Sequence, residues 1–225
     1  MVRSKAYLFK GVEIRWRCAP DLLAQGEDTP PSADLHFPGG LRDYLTEALG
    51  KSRTVTPRPF AGEIKDPSGV GSAEWAVAWP IDIDGFSQSY CNTVPTPQGG
   101  THESALRAAI AKSLRAYGEL VGNKKTAQIT ADDVMGEAAG LLSVFIPDPQ
   151  FQGQTKDKLA SPSAARLIEG PIKDRFDHWL AEDPQTANEL LEWVLEKVEE
   201  RNRRKAQKEM ARKSPTRKIR LPGKL

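Results

Sequence analysis

Apolar and polar residues alternate through most of the N-terminal half of the chain, with the period of strands that bury one face. The clearest case is 12–18, where valine, isoleucine, tryptophan and cysteine stand between charged residues. Leucines and a tyrosine at helical spacing predict a short amphipathic helix over 40–49. Asp84-Gly85 is a turn signal between two alternating runs, so we expect those runs to form a hairpin. The predicted strands are 12–18, 35–37, 60–64, 73–83 and 86–94.

The period changes to that of helices after residue 100. Thr101 is a plausible N-cap, and Thr130 with Asp133 three residues later predicts a second helix start and a helix through 139. The apolar run 141–146 predicts a buried strand. Ser161-Pro162 and Asp183-Pro184 each place proline at a first helical position. The chain therefore alternates strands with helices in the order expected of an α+β fold with a mainly antiparallel sheet.

The last predicted helix, 184–213, is the longest periodic segment, and its apolar stripe fades after Val198. At 1.5 Å per residue it spans about 40 Å, so we expect its C-terminal half to leave the body. The formal charge of the whole chain is +2, but 197–225 holds 12 Lys and Arg against 3 Asp and Glu. A basic block on an acidic body indicates either a solvated face or a nucleic-acid contact.

The composition is that of an ordinary globular protein, with room for one large domain or two small ones. No run of about 18 apolar residues exists and the N-terminus lacks a signal peptide, which favours a cytosolic protein without membrane contact. Cys18 and Cys91 lack zinc-ligand spacing and are interpreted as buried free thiols. No metal site is predicted.

The common catalytic motifs for nucleotide binding, metalloproteases and serine hydrolases are absent from the sequence. Asp132-Asp133 is better explained by a helix start than by a catalytic dyad. The two glycines of Gln98-Gly-Gly-Thr-His102 could hold an anion, although a tight turn and a helix cap explain them more simply. In 151–159, Gln154 and Lys156 could contact a phosphate group, whereas their chemistry alone favours a solvated loop.

Three motifs together are recognisable, and they read Gln98-Gly-Gly-Thr-His-Glu103, Pro147-Asp-Pro-Gln-Phe-Gln-Gly-Gln-Thr-Lys156 and Leu221-Pro-Gly-Lys-Leu225. From about residue 5 to the end, the chain resembles the transducer domain of the bacterial type IIA topoisomerase ATPase subunits. These are the B subunits of gyrase and topoisomerase IV, and Val94-Pro-Thr-Pro-Gln-Gly-Gly100 is more similar to the topoisomerase IV type. The resemblance implies a fold like domain 2 of ribosomal protein S5, with a left-handed β-α-β crossover.

The resemblance also implies a segment of a longer polypeptide, in which 1–183 form the transducer body, 184–213 a projecting helix and 214–225 a linker to a TOPRIM domain. ATP and Mg would be bound mainly by the ATPase and TOPRIM domains, so this segment carries no catalytic residue and is expected to be inactive alone. The whole enzyme would be an ATP-hydrolysing isomerase of the cytoplasm, associated with the nucleoid. Its partners would be DNA, the A subunit of topoisomerase IV in a heterotetramer, and a second copy of the B subunit, which would dimerise through the ATPase domain.

Carried over by position, Lys156 is the lysine that contacts the γ-phosphate of ATP, and Gln154 is its companion. The long helix would pass the nucleotide signal toward the DNA-cleavage core. Two alternatives remain besides topoisomerase IV, namely the transducer of the gyrase B subunit and a non-enzymatic S5-like nucleic-acid-binding module. The expected contacts to the DNA backbone are Arg201, Arg203, Arg204, Lys205, Lys208 and Arg212.

Overall fold

The computed structural model describes residues 2–23, 29–66, 69 and 71–213. The predicted linker 214–225, with its Leu-Pro-Gly-Lys-Leu motif, lies outside the described residues. The strands are β1 Glu13–Arg17, β2 Ser32–His36, β3 Phe60–Lys65, β4 Ser72–Ala78, β5 Phe86–Cys91, β6 Val94–Pro95, β7 Ala139–Phe145, β8 Phe151–Gln152 and β9 Lys158–Leu159. The α-helices are α1 Val2–Leu8, α2 Leu41–Leu49, α3 Thr101–Leu120, α4 Ala131–Met135, α5 Pro162–Glu182 and α6 Pro184–Lys213.

A five-stranded sheet in the order β3-β4-β7-β5-β6 forms the centre of the fold. All neighbouring pairs are antiparallel except β5 and β7, which run parallel and are connected through α3 and α4. The described part of the chain is thus a mixed α+β structure with a mainly antiparallel sheet, as the sequence predicts. The two smaller sheets are the pairs β1-β2 and β8-β9.

The predicted hairpin between 73–83 and 86–94 is wrong, because β7 lies between β4 and β5 in the sheet. Six of the seven residues of β7 are buried, and such a strand needs a hydrogen-bonded neighbour on each side. Gly85 serves a different purpose from a hairpin turn. A Cβ at Gly85 would lie 2.3 Å from the carbonyl carbon of Glu137, so this glycine allows two backbone segments to approach closely.

The two faces of the central sheet belong to different apolar clusters. Trp75 and Val77 of β4 face the larger cluster, which α3, α5 and the first half of α6 complete. Ala76 and Ala78 of the same strand face a smaller cluster beneath α2, which also contains Leu8 of α1. Period-two alternation within one strand therefore supplies both cores.

Several predicted elements are confirmed with shifted ends. The helix predicted to run through 139 is the single turn of α4, and the strand β7 already begins at Ala139. Its capping box is present, since the carboxylate of Asp133 accepts a 2.7 Å hydrogen bond from the backbone amide of Thr130, and the amide of Asp133 donates one of 3.3 Å to the hydroxyl of Thr130. The helix α1 is not predicted by the sequence analysis. It is too short for its periodicity to stand out from the polar residues around it.

The helix α6 changes character along its length. Its N-terminal half buries apolar side chains in the larger cluster, whereas almost every described residue after Val198 is exposed. The apolar stripe of α6 therefore ends after Val198, as the sequence predicts. Cys91 is buried as predicted, and burial raises the pKa of its thiol to about 11, which favours the protonated thiol at neutral pH. Cys18 is only partly buried, so the prediction of a buried thiol is wrong for this residue. Within the described ranges, no helix combines the length and apolarity needed to cross a membrane.

Candidate functional site

The segment predicted to be an irregular loop is a small hairpin, and it carries Gln154 and Lys156 at its tip. The strands β8 and β9 pair through Phe151 with Leu159 and Gln152 with Lys158. The turn is tight, because Gly153 and Lys156 adopt positive φ angles of 82° and 60°. A lysine in this conformation is uncommon.

Both predicted phosphate-contacting side chains at this tip are exposed. The ammonium group of Lys156 lies 5.9 Å from the ring centroid of Phe151, and the described residues give it no salt bridge. The nearby carboxylate of Asp157 accepts a 2.6 Å hydrogen bond from the hydroxyl of Thr155 instead. The hairpin therefore presents an unpaired positive charge to solvent, a suitable arrangement for meeting a phosphate group.

The hairpin is docked onto the two glycines that precede α3. The amide of Leu159 donates a 3.0 Å hydrogen bond to the carbonyl oxygen of Gly99, and the amide of Gln98 donates one of 2.9 Å to the carbonyl of Asp157. Gly100 and Leu159 also form a parallel bridge. Two segments whose hydrogen-bonded residues are 59 and 60 positions apart in sequence thus form one structural unit.

The glycines themselves do not form an anion site. A Cβ at Gly99 would lie 2.3 Å from a carboxylate oxygen of Glu103, so a negative charge already stands beside this turn. His102 is buried, and its Nε2 lies 3.2 Å from the hydroxyl of Thr96. Burial lowers the pKa of His102 to about 4, so the ring is neutral at neutral pH. The turn-and-cap interpretation of this motif is therefore supported, although Gly100 rather than Thr101 occupies the N-cap position.

The residues of α6 predicted to contact DNA fall into two groups, those bonded within the protein and those exposed to solvent. The guanidinium of Arg201 donates to the carbonyl of Gln128 at 2.8 Å and to the hydroxyl of Thr130 at 3.2 Å, and it lies 3.1 Å from the buried carboxylate of Asp133. Arg201 thus ties α6 to the start of α4. Among the described residues, the partner of Arg204 is Glu200, in an exposed pair at 3.7 Å.

Three of the predicted DNA contacts on α6 are exposed and available to a partner. Arg203, Lys205 and Lys208 are exposed and form no salt bridge within the described part of the chain. Lys205 and Lys208 border a groove of about 350 Å³ between α4 and α6. Arg212 lies on the same helix. The exposed members of this set form a positively charged edge that carries no recognisable base-reading arrangement.

Two further basic residues contact acidic partners around this groove, and neither belongs to a recognisable sequence motif. Arg107 of α3 bonds the carboxylate of Asp132 at 2.6 Å, and Lys197 lies 2.7 Å from Glu137. Their partners are distant in sequence, so no local pattern identifies them. No group of three His, Cys, Asp or Glu side chains that could hold a metal ion exists among the residues described.

Comparison with known proteins gives consistent matches. The chain is 53% identical over its whole length to the B subunit of DNA topoisomerase 4 from Caulobacter vibrioides and 52% identical to that from Bartonella bacilliformis. It spans about a third of the length of these curated relatives, 33% and 32%. A solved topoisomerase IV ATP-binding domain of Francisella tularensis is 27% identical with a TM-score of 0.72. This match covers 89% of the present chain and 52% of the solved one.

The described helices and strands therefore have the arrangement of part of a topoisomerase IV ATP-binding region. The family model for DNA gyrase B matches residues 40–210, which include the hairpin tip, the two glycines that precede α3 and nearly all of α6. Because this match covers most of the chain, the chain belongs to the DNA gyrase B family.

Proposed function

We propose that this chain is a transducer segment of a topoisomerase IV-type B subunit, which couples ATP binding and hydrolysis to DNA strand passage. The observation that carries the proposal is the unpaired ammonium of Lys156, held at a positive φ on a hairpin that is fixed to the start of α3. The whole enzyme would be an ATP-hydrolysing type II topoisomerase, and this segment alone would be inactive.

The names of the relatives support the topoisomerase IV assignment over the gyrase one, since the two relatives described above match the whole chain and are both B subunits of topoisomerase 4. Membership of the DNA gyrase B family likewise favours a topoisomerase over a non-enzymatic nucleic-acid-binding module. We assign the chain to the transducer part of the region, with an S5-like body at 1–183, a helix at 184–213 and a linker at 214–225.

The side chains at the hairpin tip are suited to contact the terminal phosphate of a nucleotide. Bound ATP would supply a γ-phosphate, which ADP lacks. The ammonium of Lys156 would act as a point charge toward that group, and the amide of Gln154 would orient one of its oxygens. The remaining contacts to the nucleotide and to Mg would come from parts of the full-length protein outside this chain. The tip therefore distinguishes the two nucleotide states by a differential interaction.

A continuous set of contacts leads from the tip to the basic end of α6. The hairpin bonds to the residues before α3, and α3 packs along α5 in the larger cluster. The hydroxyl of Tyr117 on α3 donates a 2.9 Å hydrogen bond to Asn188 on α6. A displacement of the hairpin would thus move the helices together as a rigid group.

The basic C-terminal half of α6, at the far end of this group of helices, would contact DNA. Arg203, Arg204, Lys205, Lys208 and Arg212 would contact backbone phosphates without reading sequence. Arg201 would act mainly by holding α6 against α4. The partners of the whole protein would be DNA, the A subunit of topoisomerase IV and a second copy of the B subunit. Its location would be the cytoplasm, at the nucleoid.

The test uses the full-length protein with Lys156→Ala and, as a matched control, Lys158→Ala on the neighbouring strand. We expect Lys156→Ala to bind nucleotide nearly normally but to lose about 100-fold or more of its ATP hydrolysis and strand passage. Lys158→Ala should retain both activities, because Lys158 is not at the tip. Turnover at the wild-type rate in Lys156→Ala would remove the basis of the proposal.

A further inference from the structure

A second basic site lies beside the edge strand β3, apart from both the hairpin tip and the groove of α6. It is a cavity of about 490 Å³ between β3 and the C-terminal half of α5. Arg42, Arg58 and Arg175 line it, together with His178 and a single carboxylate, Glu182. The lining of this cavity therefore carries three guanidinium groups against one carboxylate.

The floor of the cavity is aromatic and orders two of the arginines. Trp75 and Trp179 are 1% and 8% exposed. The guanidinium carbon of Arg58 lies 5.6 Å from the ring centroid of Trp179, and that of Arg175 lies 5.8 Å from that of Trp75. A guanidinium held over an indole ring by this cation–π attraction loses less freedom when it binds an anion.

Part of this charge is balanced by the protein, since Arg175 acts on the carboxylate of Glu63, and Arg58 acts on those of Glu182 and Asp183. Arg42 and Arg175 form no salt bridge with any residue that the structure describes. Arg58 lies 2.8 Å from Glu182, but their side chains are 44% and 61% exposed. Exposed pairs of this kind are weak and exchange readily for a better ligand. The indole N–H groups of Trp75 and Trp179 are buried and also lack an acceptor in the described ranges.

We propose that this cavity, named here the β3 arginine pocket, binds phosphate groups. Guanidinium groups form paired, nearly parallel hydrogen bonds with phosphate oxygens, and several of them match the multiple negative charges of such a group. The phosphate could belong to a nucleic-acid backbone or to a free polyphosphate, and the pocket chemistry is the same for both. The pocket shares no lining residue with the hairpin tip, so it stands independently of the role of Lys156.

The test measures the binding of two probes to the full 225-residue chain. The first probe is sodium tripolyphosphate, followed by calorimetry, and the second is a short DNA duplex, followed by fluorescence anisotropy. All chains used with the duplex carry Lys205→Gln and Lys208→Gln, so that DNA binding by α6 does not obscure DNA binding by the pocket. The test variant is Arg42→Gln with Arg175→Gln. The matched control is Arg166→Gln, an exposed arginine on the same helix α5 but outside the pocket.

We expect the double variant to lose about tenfold or more of its affinity for at least one probe, with no loss in Arg166→Gln. A loss confined to the duplex identifies the ligand as a nucleic-acid backbone, and a loss with tripolyphosphate identifies a free polyphosphate. Equal binding by the double variant and the control, or no binding of either probe to the parent chain, would overturn the proposal.

A conservative variant separates recognition from folding. Arg175→Lys keeps the positive charge but removes the planar fork, so it should bind the responding probe several-fold more weakly than the parent chain while unfolding at the same temperature. Full affinity in Arg175→Lys together with full affinity in Arg175→Gln would assign Arg175 to the packing of Trp75 and not to ligand binding.

Discussion

Gly100 lies so close to Leu159 that a Cβ at Gly100 would stand only 2.2 Å from the carbonyl oxygen of Leu159. Gly100 also has a φ of +141°, which side chains rarely adopt. We therefore expect Gly100→Ala to push the hairpin away from α3 and to lower the free energy of unfolding by about 2 kcal/mol or more, measured by urea denaturation.

The matched control for this substitution is Gly50→Ala. Gly50 also has a positive φ, of 56°, but a Cβ there meets no atom within 4 Å. Gly50→Ala should therefore lower the free energy of unfolding only by the conformational strain, about 1 kcal/mol. Equal losses at the two positions would show that the contact with Leu159 contributes nothing to stability.

Arg201 is expected to act on stability more than on DNA. Its guanidinium pairs with Asp133, whose side chain is only 4% exposed, so Arg201→Gln leaves a buried carboxylate with fewer partners. We expect the free energy of unfolding to fall by about 1–3 kcal/mol. Arg203→Gln, an exposed change two residues away, should stay within about 0.5 kcal/mol of the wild type. Chemical denaturation of both variants checks the difference, and similar values would contradict it.

The buried His102 predicts a pH dependence. Its pKa falls from 6.5 to about 4 on folding, so the unfolded chain binds more protons between these values. The stabilisation is complete above the unfolded pKa and is lost as the pH falls toward the folded one. Relative to His102→Gln, the wild type should lose about 2 kcal/mol of unfolding free energy between about pH 7 and about pH 5. Parallel pH profiles for the two chains would show that His102 does not titrate in this way.

The basic edge of α6 predicts a salt-dependent affinity for duplex DNA. Lys205→Gln with Lys208→Gln should flatten the slope of log affinity against log salt concentration by up to about 2, since each lost phosphate contact removes about one released counterion. Lys51→Gln with Lys65→Gln, on the body, makes the same change in charge and should leave the slope unchanged. An unaltered slope in the α6 variant would assign those lysines to a solvated helix face.

Local patterns predicted most of the elements in this protein. Alternation identified β1 and β4, and helical spacing identified α2, α3 and α5. The strongest signals were caps, since Thr130 with Asp133 and proline at the starts of α5 and α6 are all where the sequence places them. These predictions hold because capping and burial of one face depend on residues within a few positions of each other.

Strand order could not be predicted in the same way. The turn signal at Asp84-Gly85 indicated a hairpin, yet β7 pairs with both β4 and β5 from more than forty residues away. Periodicity tells which face of a strand is buried and says nothing of its neighbour. The same limit applies to Arg201, whose partners near α4 are about seventy residues distant.

The sequence alone determined the α+β class, the long basic helix and the candidate residues Gln154 and Lys156, because each depends on local spacing or on a short motif. Only the tertiary structure decided that the hairpin tip is fixed to Gly99 and Gly100, that Arg201 is engaged within the protein, and that Arg42, Arg58 and Arg175 meet in one pocket. Those relationships join residues that are distant along the chain, and they arise only when the packed sheet and helices bring them together.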